Sequence, residues 1–504
     1  MSDGGAGPAG GHDRFDRPTP QSAIDIARDV TSGRLRAVDV LASRRAVHEA
    51  SARRLNALVQ PRLDEAVAEA AAVDARVAAG HGGGGSPLAG VPISVKDCFG
   101  VRGLMTTLGL VSRRHAVDGE DALLVARLRA AGAIVVGKAN VPQALYLHET
   151  CNPVWGRTAH PQDPARGPGG SSGGDAALVA AGVVPLAVGN DLAGSLRQPA
   201  HACGIAAIMP RSAALGAGGA LDTMPSVRAV RPRAGFLAAR VADLSLALAA
   251  VSGSHPGTGT IRRVAWWDEA GPVAASPAVC RGVHEAVERL SQHGVATLRV
   301  EGGIAHEAAW LLLAILAAEG TADIRRLCAG ERLLPGVRKL LAIAGLPRRW
   351  RPLIATLARL VGSPIEAEGV LRTGPRTAAD LDGLLADRDA LALRFAAVVA
   401  GCDAVVCPVA AVPAMRHGTA ARLVLAAAPC LVANLLDLPA GAVPVTTVRK
   451  DEERARPWSL DPVLRAARAA DHGSCGLPVG VQVIGCPGHD EATVLAVMQL
   501  IERA

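Results

Sequence analysis

Short, unbroken apolar runs recur along this chain between stretches patterned as helices, and no other feature narrows its fold as far. Asp121–Ala131 has helical spacing and leads into Ala133–Val136, and Asp175–Ala181 leads into Val183–Val188. The C-terminal quarter carries Ala404–Pro408, Ala442–Val448 and Val479–Ile484 before a closing helix over Glu491–Arg503. Runs of this length read as strands buried on both faces. Their alternation with helices predicts an α/β fold. Half of the 504 residues are apolar but only one is Tyr and four are Phe, so the core of such a fold is built from Ala, Val, Leu and Ile.

Other features bound the function. The formal net charge is +7, small for this length, and the arginines are scattered instead of clustered with aromatics, which argues against nucleic acid as a partner. The ten cysteines lie far apart with no C-x-x-C pair or histidine cluster, so neither a metal site nor a dense disulfide framework is indicated and no cofactor is implied. A reduced, cytoplasmic protein fits that pattern. Residues 1–21, rich in Gly, Pro and Asp, read as a disordered leader, and residues 22–504 as one domain. Ser22–Ala79 is helical in pattern and ends at the Gly-rich loop Gly80–Ser86. The longest apolar runs, such as Ala308–Ala318 and Leu423–Ala433, are about half the roughly 20 residues that span a bilayer, so no transmembrane helix is predicted. Leu333–Val361 interleaves apolar residues with Arg338, Lys339, Arg348, Arg349, Arg351 and Arg359 and sets Leu353, Ile354, Leu357, Leu360 and Val361 on one helical face. Such a basic amphipathic segment suits peripheral contact with a membrane.

Chemistry concentrates in three places. Gly90-Val-Pro-Ile-Ser-Val-Lys96 reads as a strand with Ser94 and Lys96 on one face and apolar residues on the other. Lysine is rare here, with Arg supplying nearly all positive charge, and Lys can lose its proton when buried whereas Arg cannot. Desolvation at the end of an apolar strand would make the Lys96 amine a base. Two Gly/Ser turns follow on one αβ unit. Gly169-Gly-Ser-Ser-Gly-Gly174 holds Ser171, and Asp191-Leu-Ala-Gly-Ser195 holds Ser195 beside backbone N–H groups suited to an oxyanion. The first turn formally fits the G-x-S-x-G nucleophile elbow, but the three prolines upstream leave no strand to precede it. Gly132–Lys138 fits a phosphate-binding loop only formally, since its middle is β-branched and Ala139 stands where Ser or Thr would hold magnesium.

Together these residues resemble the amidase signature family over most of the chain. Its Gly-Gly-Ser-Ser-Gly-Gly stretch, its Gly-Ser turn followed by Arg, and its lysine strand match Gly169–Gly174, Gly189–Arg197 and Gly90–Asp97 in sequence and spacing. Asn140-Val-Pro-Gln143, Asn152-Pro153, Leu438–Val448 and Gly476–Gln482 point to the fatty-acid amide hydrolase branch, where a hydrophobic helical cap lies in the position of Leu333–Val361. The resemblance implies one α/β/α domain with a large mixed, twisted sheet covered by helices. It implies hydrolysis of an amide or ester with an apolar acyl group, with Ser195 as nucleophile, Ser171 as proton relay after a cis peptide bond, and Lys96 as terminal base. The N–H groups of Leu192, Ala193, Gly194 and Ser195 would form the oxyanion hole, and Asp191 and Arg197 would pair to hold the loop. Homodimerisation is compatible with this reading. Asn190 and Ala193 depart from the usual Thr and Gly, and Ala193 is expected to weaken the hole. Two alternatives stand beside it: an amidotransferase A-like protein, working with partner subunits, and a catalytically impaired relative that binds acyl ligands or a membrane surface.

Overall fold

β-Branched and small apolar residues recur between turn-forming glycines and prolines, and strands form there. The computed structural model describes residues 21–81, 86–253 and 259–503, so nearly all of the expected leader and the centre of the Gly80–Ser86 loop lie outside the described residues. In chain order the strands are β1 (Leu58–Pro61), β2 (Pro92–Lys96), β3 (Ile134–Ala139), β4 (Cys151–Asn152), β5 (Gly156–Arg157), β6 (Leu186–Asp191) and β7 (Ala206–Met209). They continue with β8 (Arg233–Ala238), β9 (Arg263–Trp266), β10 (Ala296–Arg299), β11 (Ala404–Pro408), β12 (Ala440–Thr447) and β13 (Pro478–Gly485).

Eleven strands make one sheet in the order β1-β3-β2-β6-β8-β7-β12-β13-β11-β9-β10, and β4 and β5 form a separate ribbon. The sheet is mixed. β2 runs parallel to β3 and β6, β8 antiparallel to β6 and β7, and β9 parallel to β10 and β11. Helices cover it: Gly173–Ala180 packs on β2, β3, β6 and β8, and Glu491–Glu502 on β11, β12 and β13. This is the expected α/β architecture in a single domain, and one apolar cluster runs from Ala23 to Ile501.

Three sequence expectations change at the level of elements. The stretch Ser22–Ala79 is not helical throughout, because β1 interrupts it and pairs with β3. β6 does not stop at Val188, because Asn190 and Asp191 pair with Ala234 and Arg233 of β8. The basic segment Leu333–Val361 is not one helix. It folds as Pro335–Ala344 and Arg351–Leu360, joined through a stretch containing Pro347, whose ring and missing N–H do not suit a helix interior. Arg351 is buried there, its guanidinium donating to the carbonyls of Leu346 and Pro375.

Among the described residues no single helix is long and apolar enough to cross a membrane. The helices Gly303–Glu319 and Thr321–Leu327 would suffice together but are bent by 54°. Ala308, Leu312 and Ile315 of the first are fully buried, as befits a core helix.

Candidate active site

β2 is an interior strand, its edges paired with β3 and β6, and the helix Gly173–Ala180 packs on it. Ser94 and Lys96 are fully buried despite their polarity. Lys96 Nζ donates to Ser171 Oγ at 2.7 Å, to Asn190 Oδ1 at 2.7 Å and to the Asn190 carbonyl at 3.2 Å. Burial lowers the pKa of this amine, with Cys98, Asp175 and Asp191 pulling in the opposite direction.

Ser171 stands on the first Gly/Ser turn, directly before the helix Gly173–Ala180, and the Gly170–Ser171 peptide bond is cis. The turn is packed too tightly for side chains. A Cβ at Gly174 would come within 2.5 Å of the Asn140 backbone, and one at Gly170 within 2.8 Å of the Leu147 carbonyl. Among the described residues no strand lies between Arg157 and this turn, so the nucleophile-elbow arrangement is absent.

Ser195 stands on the second turn, which begins where β6 leaves the sheet. The Asp191 carboxylate organises it, accepting from the N–H groups of Gly194 at 2.7 Å and Leu196 at 3.0 Å. The expected pair is present, with Arg197 Nη2 at 3.0 Å from Asp191 Oδ1 and both side chains fully buried. Burial alone would raise the Asp191 pKa, but Arg197, the Leu196 N–H and Asn434 hold it well below the usual carboxylate range. Arg197 also donates to Asn434 Oδ1, the Cys430 carbonyl and Gln482 Oε1. The two serine turns are tied directly by the Ser172 N–H, which donates to the Ser195 carbonyl at 3.1 Å.

Glycine is required at position 194, where φ is 98° and a Cβ would meet the Cys430 side chain at 2.9 Å. Ala193 is not among the residues with positive φ. It therefore carries no left-handed penalty, and its expected weakening of the turn loses its conformational cause. Of the four N–H groups considered at the sequence level, that of Gly194 is already engaged by Asp191. Those of Leu192, Ala193 and Ser195 have no acceptor among the described residues.

Ser171, Asn190, Leu192, Ala193 and Ser195 all line one cavity of about 230 Å³. Its remaining walls are mainly apolar, among them Leu145, Leu147, Met224, Trp310, Leu313 and, from the basic segment, Ile343. Among the described residues no hydrogen bond joins the two serine hydroxyls, and Ser195 Oγ has no partner, while Ser171 Oγ is committed to Lys96. Among the described residues no group of three His, Cys, Asp or Glu side chains is placed to hold a metal ion.

Two residues of the site escaped the sequence reading. Asn190 was visible only as a departure from a motif, yet it supplies two of the three acceptors around Lys96. His148 carried no signal. Its Nε2 lies 3.0 Å from the Ala193 carbonyl, and burial lowers its pKa, so it is a neutral donor to that carbonyl. The peptide unit between Ala193 and Gly194 is thus held at both ends, by His148 and by Asp191.

The chain is similar to known proteins in sequence and in fold. The chain is 30% identical to fatty-acid amide hydrolase 1 of Sus scrofa over 448 residues, covering 82% of this chain and 76% of that protein. It is 35% identical to the indoleacetamide hydrolase of Bradyrhizobium diazoefficiens over 301 residues, 56% of each chain. A solved fatty acid amide hydrolase superposes with a TM-score of 0.82 at 20% identity, covering 96% of this chain and 85% of its own, a likeness of fold. With the Amidase family model matching residues 40–494, this chain belongs to the amidase signature family and is a hydrolase of amide C–N bonds.

Proposed function

We propose that the chain hydrolyses small-molecule amides with an apolar acyl group through Ser195, Ser171 and Lys96. The observation that carries this reading is the 2.7 Å hydrogen bond between the fully buried Lys96 amine and Ser171 Oγ, in a cavity wall that also holds Ser195.

Ser195 Oγ attacks the amide carbonyl carbon. Its proton passes to Ser171 Oγ as the Ser171 proton passes to neutral Lys96 Nζ. The carbonyl π pair moves onto oxygen, and the N–H groups of Leu192, Ala193 and Ser195 receive the oxyanion, while Gly194 keeps the turn in place through Asp191. Collapse breaks the C–N bond, and the proton held by Lys96 returns through Ser171 to the leaving nitrogen. An ester on Ser195 remains. Water then attacks it by the same proton path, releasing the carboxylic acid and restoring both serines. The apolar walls around the serines favour an acyl group that gains by leaving water, at about 25 cal/mol per Å² of apolar surface covered.

Fluorophosphonate labelling with mass-spectrometric mapping of the modified residue tests the reading. Label is expected on Ser195, absent in Ser195→Ala and strongly reduced in Ser171→Ala and Lys96→Ala. Label on Ser171 in a Ser195→Ala protein that still turns over substrate would exchange the roles of the two serines. No label on the wild type at any pH would favour a binding protein with an amidase fold.

A further inference from the structure

Ser94 shares a face of β2 with Lys96, and the proposed mechanism gives it no task. Its Oγ donates to Asp175 Oδ1 at 2.7 Å, and both side chains are fully buried. Asp175 stands in the first turn of the helix Gly173–Ala180, which packs on β2. Its other oxygen, Oδ2, is buried with no hydrogen-bond partner among the described residues. A carboxylate with a bare oxygen in such a place is expensive, whereas a carboxylic acid is much less so.

The other titratable groups near Lys96 are accounted for. Asp191 is held as an anion by Arg197. Burial pushes the Cys98 thiol up to about 12, so it is neutral. Burial keeps His148 neutral. Asp97, next in the chain, lies 3.4 Å from the buried Lys138. Among the described residues Asp175 is the one acidic neighbour with no cation of its own within ion-pair distance.

We infer that Asp175 and Lys96 share a single proton, so that Asp175 is a positioning residue that sets the pH at which Lys96 becomes a base. This rests on the proposed role of Lys96. With one proton between them, the pair exists as Lys96-NH3+ with Asp175-COO−, or as Lys96-NH2 with Asp175-COOH. Both forms have zero net charge, so exchange between them makes a neutral amine without bringing an unbalanced charge into the core. Burial moves the two groups toward each other, lowering Lys96 and pushing Asp175 up to about 7. Groups coupled in this way titrate as a pair in two steps.

The test is the rate of fluorophosphonate labelling at Ser195 against pH in the full chain. The wild-type rate is expected to rise with pH in two steps. Asp175→Asn, which imitates the protonated acid, should give a single step at lower pH. A displacement of about one unit would make labelling about tenfold faster on the acid side of the wild-type rise. Ser94→Ala removes a hydrogen bond that favours the carboxylate, and should move the profile the same way by a smaller amount, which keeps the idea testable should Asp175→Asn fold poorly. If Lys96→Ala loses the rise while Asp175→Asn and Ser94→Ala both keep the wild-type profile, the shared proton is refuted and the base stands. If Lys96→Ala keeps the wild-type rise, the assignment of the base fails first.

Discussion

A lysine that accepts a proton must aim its lone pair at the donor, and a neutral amine has two N–H bonds left to dispose of. Asn190 takes both. Its Oδ1 and backbone carbonyl can only accept from Nζ, so when Lys96 is neutral its lone pair is left for the Ser171 hydroxyl and the bond that the ammonium donates to Ser171 reverses. Asn190→Leu should therefore lower the labelling rate of Ser195 about tenfold or more, since a hydrogen bond that positions a reacting group is worth roughly 1–2 kcal/mol. Asn190→Thr, which returns one side-chain oxygen, should recover most of that rate. Lys96→Arg should stay inactive, because a guanidinium has no accessible neutral form to serve as a base. Ala193→Gly is expected to change the rate by less than about fivefold. The residue already lies outside the left-handed region, so the exchange restores no donor of the kind worth about 10² to 10³ in rate. A hundredfold gain on substitution would show that the Ala193 side chain obstructs the turn.

At the scale of elements, the helix Arg351–Leu360 presents Leu353, Leu357 and Leu360 to solvent, with Leu360 78% exposed, and Leu460 extends the face beside Gly362. Charge contributes less here than the sequence suggests. Arg351 is buried, Lys339 pairs with Glu366, Arg348 with Asp380 and Arg359 with Glu368, which leaves Arg338 and Arg349 without an ion pair among the described residues. At about 1 kcal/mol per basic residue near an anionic surface, two cations give a weak attraction. Leu357→Glu with Leu360→Glu should therefore abolish co-sedimentation with anionic vesicles, while raising the salt should only reduce it. Unchanged sedimentation of the doubly substituted protein would make this face a contact for protein. Two strands show what the sequence displays and what it hides. β11 was readable residue by residue because Ala404–Pro408 is one apolar run, but β8 begins with Arg233, which looks like a surface residue. Arg233 is buried because it donates to the carbonyls of Ala433 and Leu438, partners about 200 residues away. Lys96 and the two serines stand in local motifs and were visible, whereas Asn190 and His148 gain their tasks only when β6 and the 145–150 stretch are brought against them.

Across the whole molecule, Arg197 joins the Ser195 turn to elements that follow it by more than 200 residues. Its guanidinium reaches Asp191 at the end of β6, Asn434 and Cys430 in the helix Ala428–Leu435, and Gln482 in the interior strand β13. The shape of the turn thus depends on these distant elements as well as on its own Asp191. Removing one member leaves a buried charge without its partner, which costs about 3–5 kcal/mol, whereas removing both members of such a pair can cost much less. Arg197→Met should lower the stability read from urea unfolding by that amount, and Arg197→Met with Asp191→Leu should return part of it. Because the Asp191 pKa is depressed in the folded state, the pair contributes fully above the unfolded carboxylate value of about 3.9, and its contribution fades as pH falls toward the folded value. In Arg197→Met burial acts on Asp191 without its main counterweight and raises the carboxyl pKa, so the difference between wild type and variant should be largest where that carboxyl is ionised and shrink as pH falls and it takes up a proton. Both proteins without Arg197 should lose Ser195 labelling even where stability returns, since the Asp191 carboxylate is either no longer held against the Gly194 N–H or absent. A double variant that regains both stability and labelling would show that the turn keeps its shape without the network.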